Sequence, residues 1–524
     1  MRFWPALSIV PAVLASSLAL GAGFEYPDNG TEALGRAGAF TAKADDGTAI
    51  YYNPAGLAQQ DGLRITLDSN FVGEGLTFQR SDPVTGAAIG PAVSNGAGMF
   101  VAPFVTVSYQ IIKNLTVALG VYGPPADGQL SFPGETPPPY DPTFSKYPNG
   151  CPGSCSIAST LTGPPQPGGP GLDPQKYGLI NDNIFVAYPT LSLAWAPVDI
   201  PGLVRLSLGV SGQMVYAHTQ LSQSTFDGAT VEAQSGQAHG PQNESPAWDT
   251  IANVDVQNSL GERFAGIFGL GLTLFDHLRV GASYRPWIPI DQSGTLQLQY
   301  STLFQVAGAT VKGNGTTQAK DNTSGTGPAD FYLQMPGELK TGLGWDFGQG
   351  SDIEVDFDYT QWSQIKQLAL IPNFSVATAL PSPTSTALPL MGIPENFNDT
   401  WALRVGGDYR LPIPGPVRVA VRAGASYETS VFDGSQATIY PSLTYSNFDM
   451  YSAAAGVSVG FKWIELAVGY SHVFEPTKTV TNGGGTMTQN VPAGSPSPKP
   501  VVVNDGSYAT SYDILAVGLK LRFL

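Results

Sequence analysis

Cysteine is nearly absent: the 524 residues hold only two, Cys151 and Cys155. Both sit in the Pro/Gly-rich run NGCPGSCS, where an exported chain favours a short-range disulfide. As a metal site the pair falls short, since zinc takes about four ligands and no histidine is near. Histidine is also scarce, with His218, His239, His277 and His472 scattered along the chain, so no acid–base or nucleophile arrangement forms. Walker, Rossmann and zinc motifs are missing. Charge is low at 13% and positive charge lower still, with 25 Lys and Arg against 41 Asp and Glu. The net charge of −16 argues against nucleic acid as a partner. Beyond residue 21 no run approaches the ~20 apolar residues of a membrane-spanning helix, so a chain that crosses a bilayer must do so as a closed barrel.

Glycine and aromatics are abundant, with 62 Gly, 22 Tyr and 25 Phe. Many aromatics with little charge fit a barrel that turns an apolar band and aromatic girdles toward lipid. Residues 1–21 combine Arg2 with an apolar stretch ending in Ala19-Leu20-Gly21. They predict a signal peptide, with the mature chain starting at Ala22 and no lasting membrane anchor. The expected divisions are therefore 1–21 signal peptide, 22–61 an N-terminal plug, and 62–524 the barrel.

Period-2 patterning marks about fourteen strands: 62–79, 98–110, 114–124, 183–196, 203–218, 262–275, 277–288, 331–347, 351–362, 400–411, 417–428, 448–461, 463–475 and 510–523. Their connections alternate between short turns and long loops rich in Gly, Pro, Ser, Thr and Asn, as in an antiparallel outer-membrane barrel with short periplasmic turns. A sandwich or propeller has no such alternation. In the last strand Leu515, Val517, Leu519, Leu521 and Phe523 share one face and Ala516, Gly518, Lys520 and Arg522 the other, which predicts a lipid side and a lumen side. The fold class is thus all-β, a transmembrane antiparallel β-barrel of about fourteen strands.

A lumen of that size needs filling, and the weakly charged stretch LGRAGAFTAKADDGTAIYYNPAGLA, from Leu34 to Ala58, is the candidate. In it Asn53 precedes a proline and is expected extended, Pro54 fixes φ, and Gly56 is expected to free the backbone for a turn. Ala22-Gly23-Phe24, Leu34-Gly35-Arg36-Ala37, Ala44-Asp45-Asp46 and Tyr52-Asn53-Pro54-Ala55-Gly56-Leu57-Ala58 resemble, in order and spacing, one known element. It is the N-terminal hatch of the long-chain fatty acid and aromatic-hydrocarbon transporters of Gram-negative outer membranes, the FadL/TodX (OmpP1) type. Met335-Pro336-Gly337-Glu338, Asp358 to Ser363 and Asn396 to Trp401 resemble later barrel strands of the same family. The terminal Leu521-Arg522-Phe523-Leu524 resembles the signature read by the barrel-assembly machinery, with Leu in place of the usual last Phe.

Strand parity nominates the site. Phe100, Phe104, Tyr122, Ile184, Val186, Tyr188 and Val215 are expected to line an apolar pocket between plug and outer mouth, or else to pack against Phe40 and Ile50 of the plug. Arg285 is inward by parity and is the candidate partner for a ligand carboxylate. Arg404, Arg410, Arg418, Arg422, Lys520 and Arg522 against Glu354, Asp356, Asp358 and Glu465 predict a salt-bridge network anchoring plug to wall. Gly123 and Pro124 end the third strand, and the resemblance implies a kink there that opens the wall sideways. Phe24, Asn53, Pro54 and Ala55 are the expected plug and gating residues. The long loops offer Phe132, Tyr140 and Phe226 as sticky surface.

Together these features predict a monomeric channel in the outer membrane, without cofactor, whose partners are outer-membrane lipids, the barrel-assembly machinery and a hydrophobic ligand. The expected cargo is long-chain fatty acid, with aromatic hydrocarbon as the alternative. The rival classes are a general diffusion porin and a lipid-modifying enzyme.

Overall fold

A computed structural model of the protein describes residues 28–124, 129–132, 174–226, 249–300, 309–310, 324–378, 384–387, 391–394, 397–432, 448–481, 486–488, 500–502 and 504–523. The expected signal peptide, Phe24, Tyr140, Cys151 and Cys155 lie outside them, and so does the side chain of Phe226.

Fourteen antiparallel strands close a ring. They are β1 (Leu63–Arg80), β2 (Phe100–Ile112), β3 (Leu115–Tyr122), β4 (Asn181–Ile200), β5 (Val204–Phe226), β6 (Arg263–Leu274), β7 (Leu278–Arg285), β8 (Glu338–Gly348), β9 (Ser351–Thr360), β10 (Thr400–Arg410), β11 (Val417–Glu428), β12 (Met450–Phe461), β13 (Ile464–Phe474) and β14 (Gly506–Phe523). Each pairs with the next, and β1 pairs with β14 from Leu63↔Phe523 to Arg80↔Gly506, which leaves no free edge at the seam. No helix among the described residues is long and apolar enough to cross a membrane.

The alternation seen in the sequence sorts the side chains as expected. On β14 Leu515 and Val517 are exposed on the outer face while Ile514, Ala516 and Lys520 are buried inside. The outer band runs along β12 from Tyr451 to Phe461, about 33 Å of strand, or roughly 25 Å of height at the usual barrel tilt. Aromatics edge it at both ends. Trp463 stacks on Phe523 at 5.7 Å at the short-turn end, and Trp401, Tyr427 and Tyr451 form a chain of ring contacts at 5.4 and 5.0 Å at the other.

Two stretches read as single strands are broken. The expected 277–288 splits into β7 and a second strand, Ile288–Tyr300, and 331–347 splits into Ser324–Met335 and β8. Each break falls at a proline, Pro286 or Pro336, which brings no N–H to the ladder. Past those breaks the chain leaves the ring. Ile288–Tyr300 pairs with Asp249–Gln257 and Ser324–Met335, and the latter with Gln367–Pro372. This added sheet hangs from the upper part of β5 through His218↔Gln257 to Phe226↔Asp249. Residues the sequence pattern assigned to loops therefore extend one side of the wall.

Residues 28–61 run inside the ring. A 3-10 turn, Pro54–Gln59, lies against β3 to β6, and the short helix Thr31–Leu34 lies against β12, β13, β14 and β1 on another side. Nearly every side chain in between is buried.

Candidate functional site

The inner segment meets the wall through charge. Arg36 is fully buried, with its Nη1 at 2.5 Å from Asp352 and 2.9 Å from Asp408 and its Nη2 at 3.4 Å from Glu354. Burial works against a charged guanidinium, yet the carboxylates of Asp352, Asp408 and Glu354 hold its pKa above the ordinary value. Glu32 accepts from Lys43 at 3.1 Å, from Arg422 at 3.1 Å and from Lys520. Burial alone would raise its carboxyl; Arg422, Lys520 and Lys43 outweigh it and hold the group well below the usual range.

The acids of the wall also serve the segment's backbone. Asp356 Oδ2 accepts the backbone N–H groups of Phe40 and Thr41 at 2.9 and 2.8 Å, and Glu354 accepts those of Ala42 and Lys43 at 2.6 and 3.1 Å. These N–H groups belong to irregular backbone, and the wall supplies the acceptors that no helix or sheet gives them. Of the cations expected here, Arg404 reaches Asp358 at 2.7 Å and Glu428 at 3.2 Å, and Arg422 and Lys520 join through Glu32. Arg418 instead bonds the Lys462 carbonyl at 3.2 Å by the short turns, Arg410 is exposed, and Arg522 meets Glu465 at 3.4 Å at the rim. Strand parity names a face but not a height, which is why these cations were grouped together.

The segment's own arginine, lysine and acids were not singled out by pattern. Arg36 and Lys43 are its only cations, and two cations in a small-residue stretch destined for a lumen were the available signal.

Asn53 is extended at φ −160°, its side chain caps Ala55 N at 3.1 Å, and its Nδ2 donates to Thr41 O and Leu270 O at 2.9 and 3.0 Å. Pro54 opens the 3-10 turn. Gly56 acts differently from its expected part as a flexible turn residue: a Cβ there would overlap the Ala44 carbonyl, so it serves close approach. On the wall, a Cβ at Gly209 would collide with the Pro54–Ala55 peptide.

Above this contact the interior changes character. Phe104 stacks on Tyr122 at 4.9 Å with 19° between rings, and Tyr51 and Tyr188 each meet Tyr122 edge-on at 5.7 Å. Gln213 Nε2 donates to the Tyr122 hydroxyl. Ile184, Val186 and Val215 belong to the same buried cluster, which also takes in Phe40 and Ile50 of the segment and continues over the added sheet through Ile290, Leu296, Phe331 and Leu333. Phe100 lies elsewhere. It is opposite Val72 and packs with the smaller cluster of Leu34, Val72, Met450 and Tyr512. Arg285 is buried with its Nη2 at 3.7 Å from Glu338, which also bonds Lys340, and Lys340 lies 5.1 Å over the Tyr51 ring. A charged group thus borders the aromatic one.

Beside Tyr122 the pairing of the wall stops among the described residues. The β2–β3 ladder ends at Phe104↔Tyr122 and the β3–β4 ladder at Tyr122↔Tyr188, while pairing along that edge of β4 resumes only at Asn183↔Gln129. Ile184 to Ala187 are skipped by both ladders among the described residues. Gly123 and Pro124 follow Tyr122, a Cβ at Gly123 would crowd the Val186 carbonyl of β4, and Asn29 Nδ2 donates to the Gly123 carbonyl at 2.8 Å.

A barrel with these parts has known counterparts. Residues 203–504 match the family model described as outer membrane protein transport protein (OMPP1/FadL/TodX), more than half of the chain. The chain belongs to this family. Among solved structures, a Pseudomonas aeruginosa FadL homologue aligns with a TM-score of 0.66 at 16% identity, covering 96% of this chain and 100% of that one. The toluene transporters TodX of Pseudomonas putida and TbuX of Ralstonia pickettii align at TM-scores of 0.57 and 0.56, with 12% and 16% identity, each covering 95% of this chain and 99% of theirs. At such identities the likeness is one of fold. An outer membrane protein of Neisseria meningitidis serogroup B is 30% identical over 120 residues, 22% of this chain and 26% of that protein, so the chain spans about a quarter of the length of the curated relative it matches. The protein is an outer-membrane barrel of a family that carries hydrophobic compounds, and its family and fold are those of transport channels.

Proposed function

We propose that the chain is a passive channel for hydrophobic molecules, with long-chain fatty acids as its first cargo, and that residues 22–61 form the plug of a barrel comprising 62–524. The observation that carries this reading is the buried aromatic group that Phe104, Tyr122 and Tyr188 of the wall form with Tyr51 of the plug, beside the point where the described β3–β4 pairing stops. An acyl chain leaving water for such surroundings gains about 25 cal/mol for each Å2 it buries, several kcal/mol for a long chain. Arg285, with Lys340 near, supplies the cationic partner for the carboxylate. The ligand leaves sideways past Gly123 and Pro124 when the plug lets go through Asn29 and the Asn53–Ala55 corner. Burial drives entry and dilution drives exit, so the channel catalyses no reaction.

Aromatic hydrocarbons are the second reading, favoured by the two toluene transporters of like fold. Purified protein in detergent tests both: fatty acid and toluene are titrated against the wild type and Phe104→Asp. The substitution should weaken binding more than tenfold, because it places a carboxylate against the Tyr122 ring. Unchanged affinity, or a steady porin-like ion current after reconstitution, would overturn the reading.

A further inference from the structure

The apolar cluster of the added sheet holds one side chain out of keeping with it. Gln292 is 1% exposed, and neither its Nε2 nor its Oε1 has a hydrogen-bond partner among the described residues. Ile290 and, past Gly294, Leu296 lie on the same face of its strand, Phe331 lies opposite it, and Leu333 lies opposite Ile290. Along the neighbouring strand Val254 and Val256 continue the apolar face, and next to Val256 on β5 is Thr219, buried, with an Oγ1 that also lacks a partner.

The chain can satisfy a buried amide in this region when the fold needs it to. Asn258, one residue past the end of the adjacent strand, donates to Val215 O at 2.9 Å and accepts from Ala217 N at 2.7 Å, which uses both ends of its amide. Gln292 has no such backbone partners. A buried primary amide that no protein group satisfies costs stability, and the cost is recovered when a molecule brings the complementary groups.

We propose that Gln292, on the same face of the sheet as Thr219 two strands away, recognises a hydroxyl group carried on an otherwise apolar ligand, so that the channel prefers hydroxylated acyl chains to unsubstituted ones. A hydroxyl is the smallest group that accepts from Nε2 and donates to Oε1 at once. A carboxylate only accepts, and the residues facing Gln292 on the paired strands include no lysine or arginine to offset its charge. This places the cationic contact at Arg285 and the hydroxyl contact higher, on the added sheet, and it rests on the channel reading above.

The test compares octadecanoic and 12-hydroxyoctadecanoic acids by calorimetric titration of the full-length protein in detergent. The wild type should bind the hydroxylated acid about tenfold more tightly, the size of one hydrogen-bonding group left unmatched. Gln292→Leu keeps the volume, so it should lose that preference while binding the plain acid at least as well; Thr219→Val should lose part of it. Heat-modifiable migration on a gel checks that each variant is folded. Equal affinities in the wild type, or a preference unchanged in Gln292→Leu, would mean that water or nothing fills the amide's needs, and would overturn the proposal. Failure of both acids to bind would instead remove the channel reading, and this one with it.

Discussion

The lower and upper halves of the interior solve one packing problem with opposite chemistry. Below, the inner segment is held by buried ions: Arg36 among Asp352, Asp408 and Glu354, and Glu32 among Lys43, Arg422 and Lys520. Above, Phe104, Tyr122, Ile184 and the added sheet present an almost purely apolar surface. Buried ion pairs add little net stability over an apolar core but fix position sharply, because any displacement strands a charge. Apolar contacts are non-directional and exchange partners at low cost. The segment is thus registered where it meets the wall, and yielding where a ligand would meet it.

Three substitutions break or sharpen that contrast, taken from the largest effect down. Arg36→Ala takes the shared cation from Asp352, Asp408 and Glu354, which keep Lys43, Arg279, Arg422 and backbone N–H groups as partners, and should destabilise the seated segment by about 3 kcal/mol. Limited proteolysis of residues 28–61 and a raised ion current in planar bilayers measure it; a variant as resistant and as closed as the wild type would mean that the ions are not what holds the segment. Glu32→Gln should cost less, about 1–3 kcal/mol, since a neutral acceptor remains. Because the Glu32 carboxyl is held below its unfolded value, its contribution is present above pH ~4.5 and fades as pH falls through the folded value. Acid should therefore loosen the wild-type segment while Glu32→Gln shows a flatter pH dependence of proteolysis, and parallel profiles would contradict the sign. Asn29→Ala removes the single bond to Gly123 O at the boundary between the two halves, worth about 1 kcal/mol. It should leave thermal stability nearly unchanged and quicken fatty acid release in stopped-flow; equal release rates would detach Asn29 from the exit.

The ring was legible in the sequence because strand periodicity, loop-length alternation and Gly or Pro punctuation all act locally. The face of Lys520 or Phe104 follows from counting by two. Heights do not, so Arg418 and Arg410 were grouped with Arg422, and Phe100 with Phe104, although Phe100 sits against Val72 and Tyr512. The added sheet was missed for a different reason. Its strands pair with one another across long sequence gaps, as in Ile288–Tyr300 with Asp249–Gln257, and lie in polar-looking stretches whose apolar face shows only once the partners are known. Gln292 falls there, and nothing local marks it.

The seam between the first and last strands has a consequence for biogenesis. Lys520, on the final stave, is also a partner of Glu32 and of Asp46 at 2.5 Å. Zipping the cylinder shut and fastening the inner segment thus share one residue. A chain without that stave has neither a sealed cylinder nor a fully fastened inner segment, so the two are completed together.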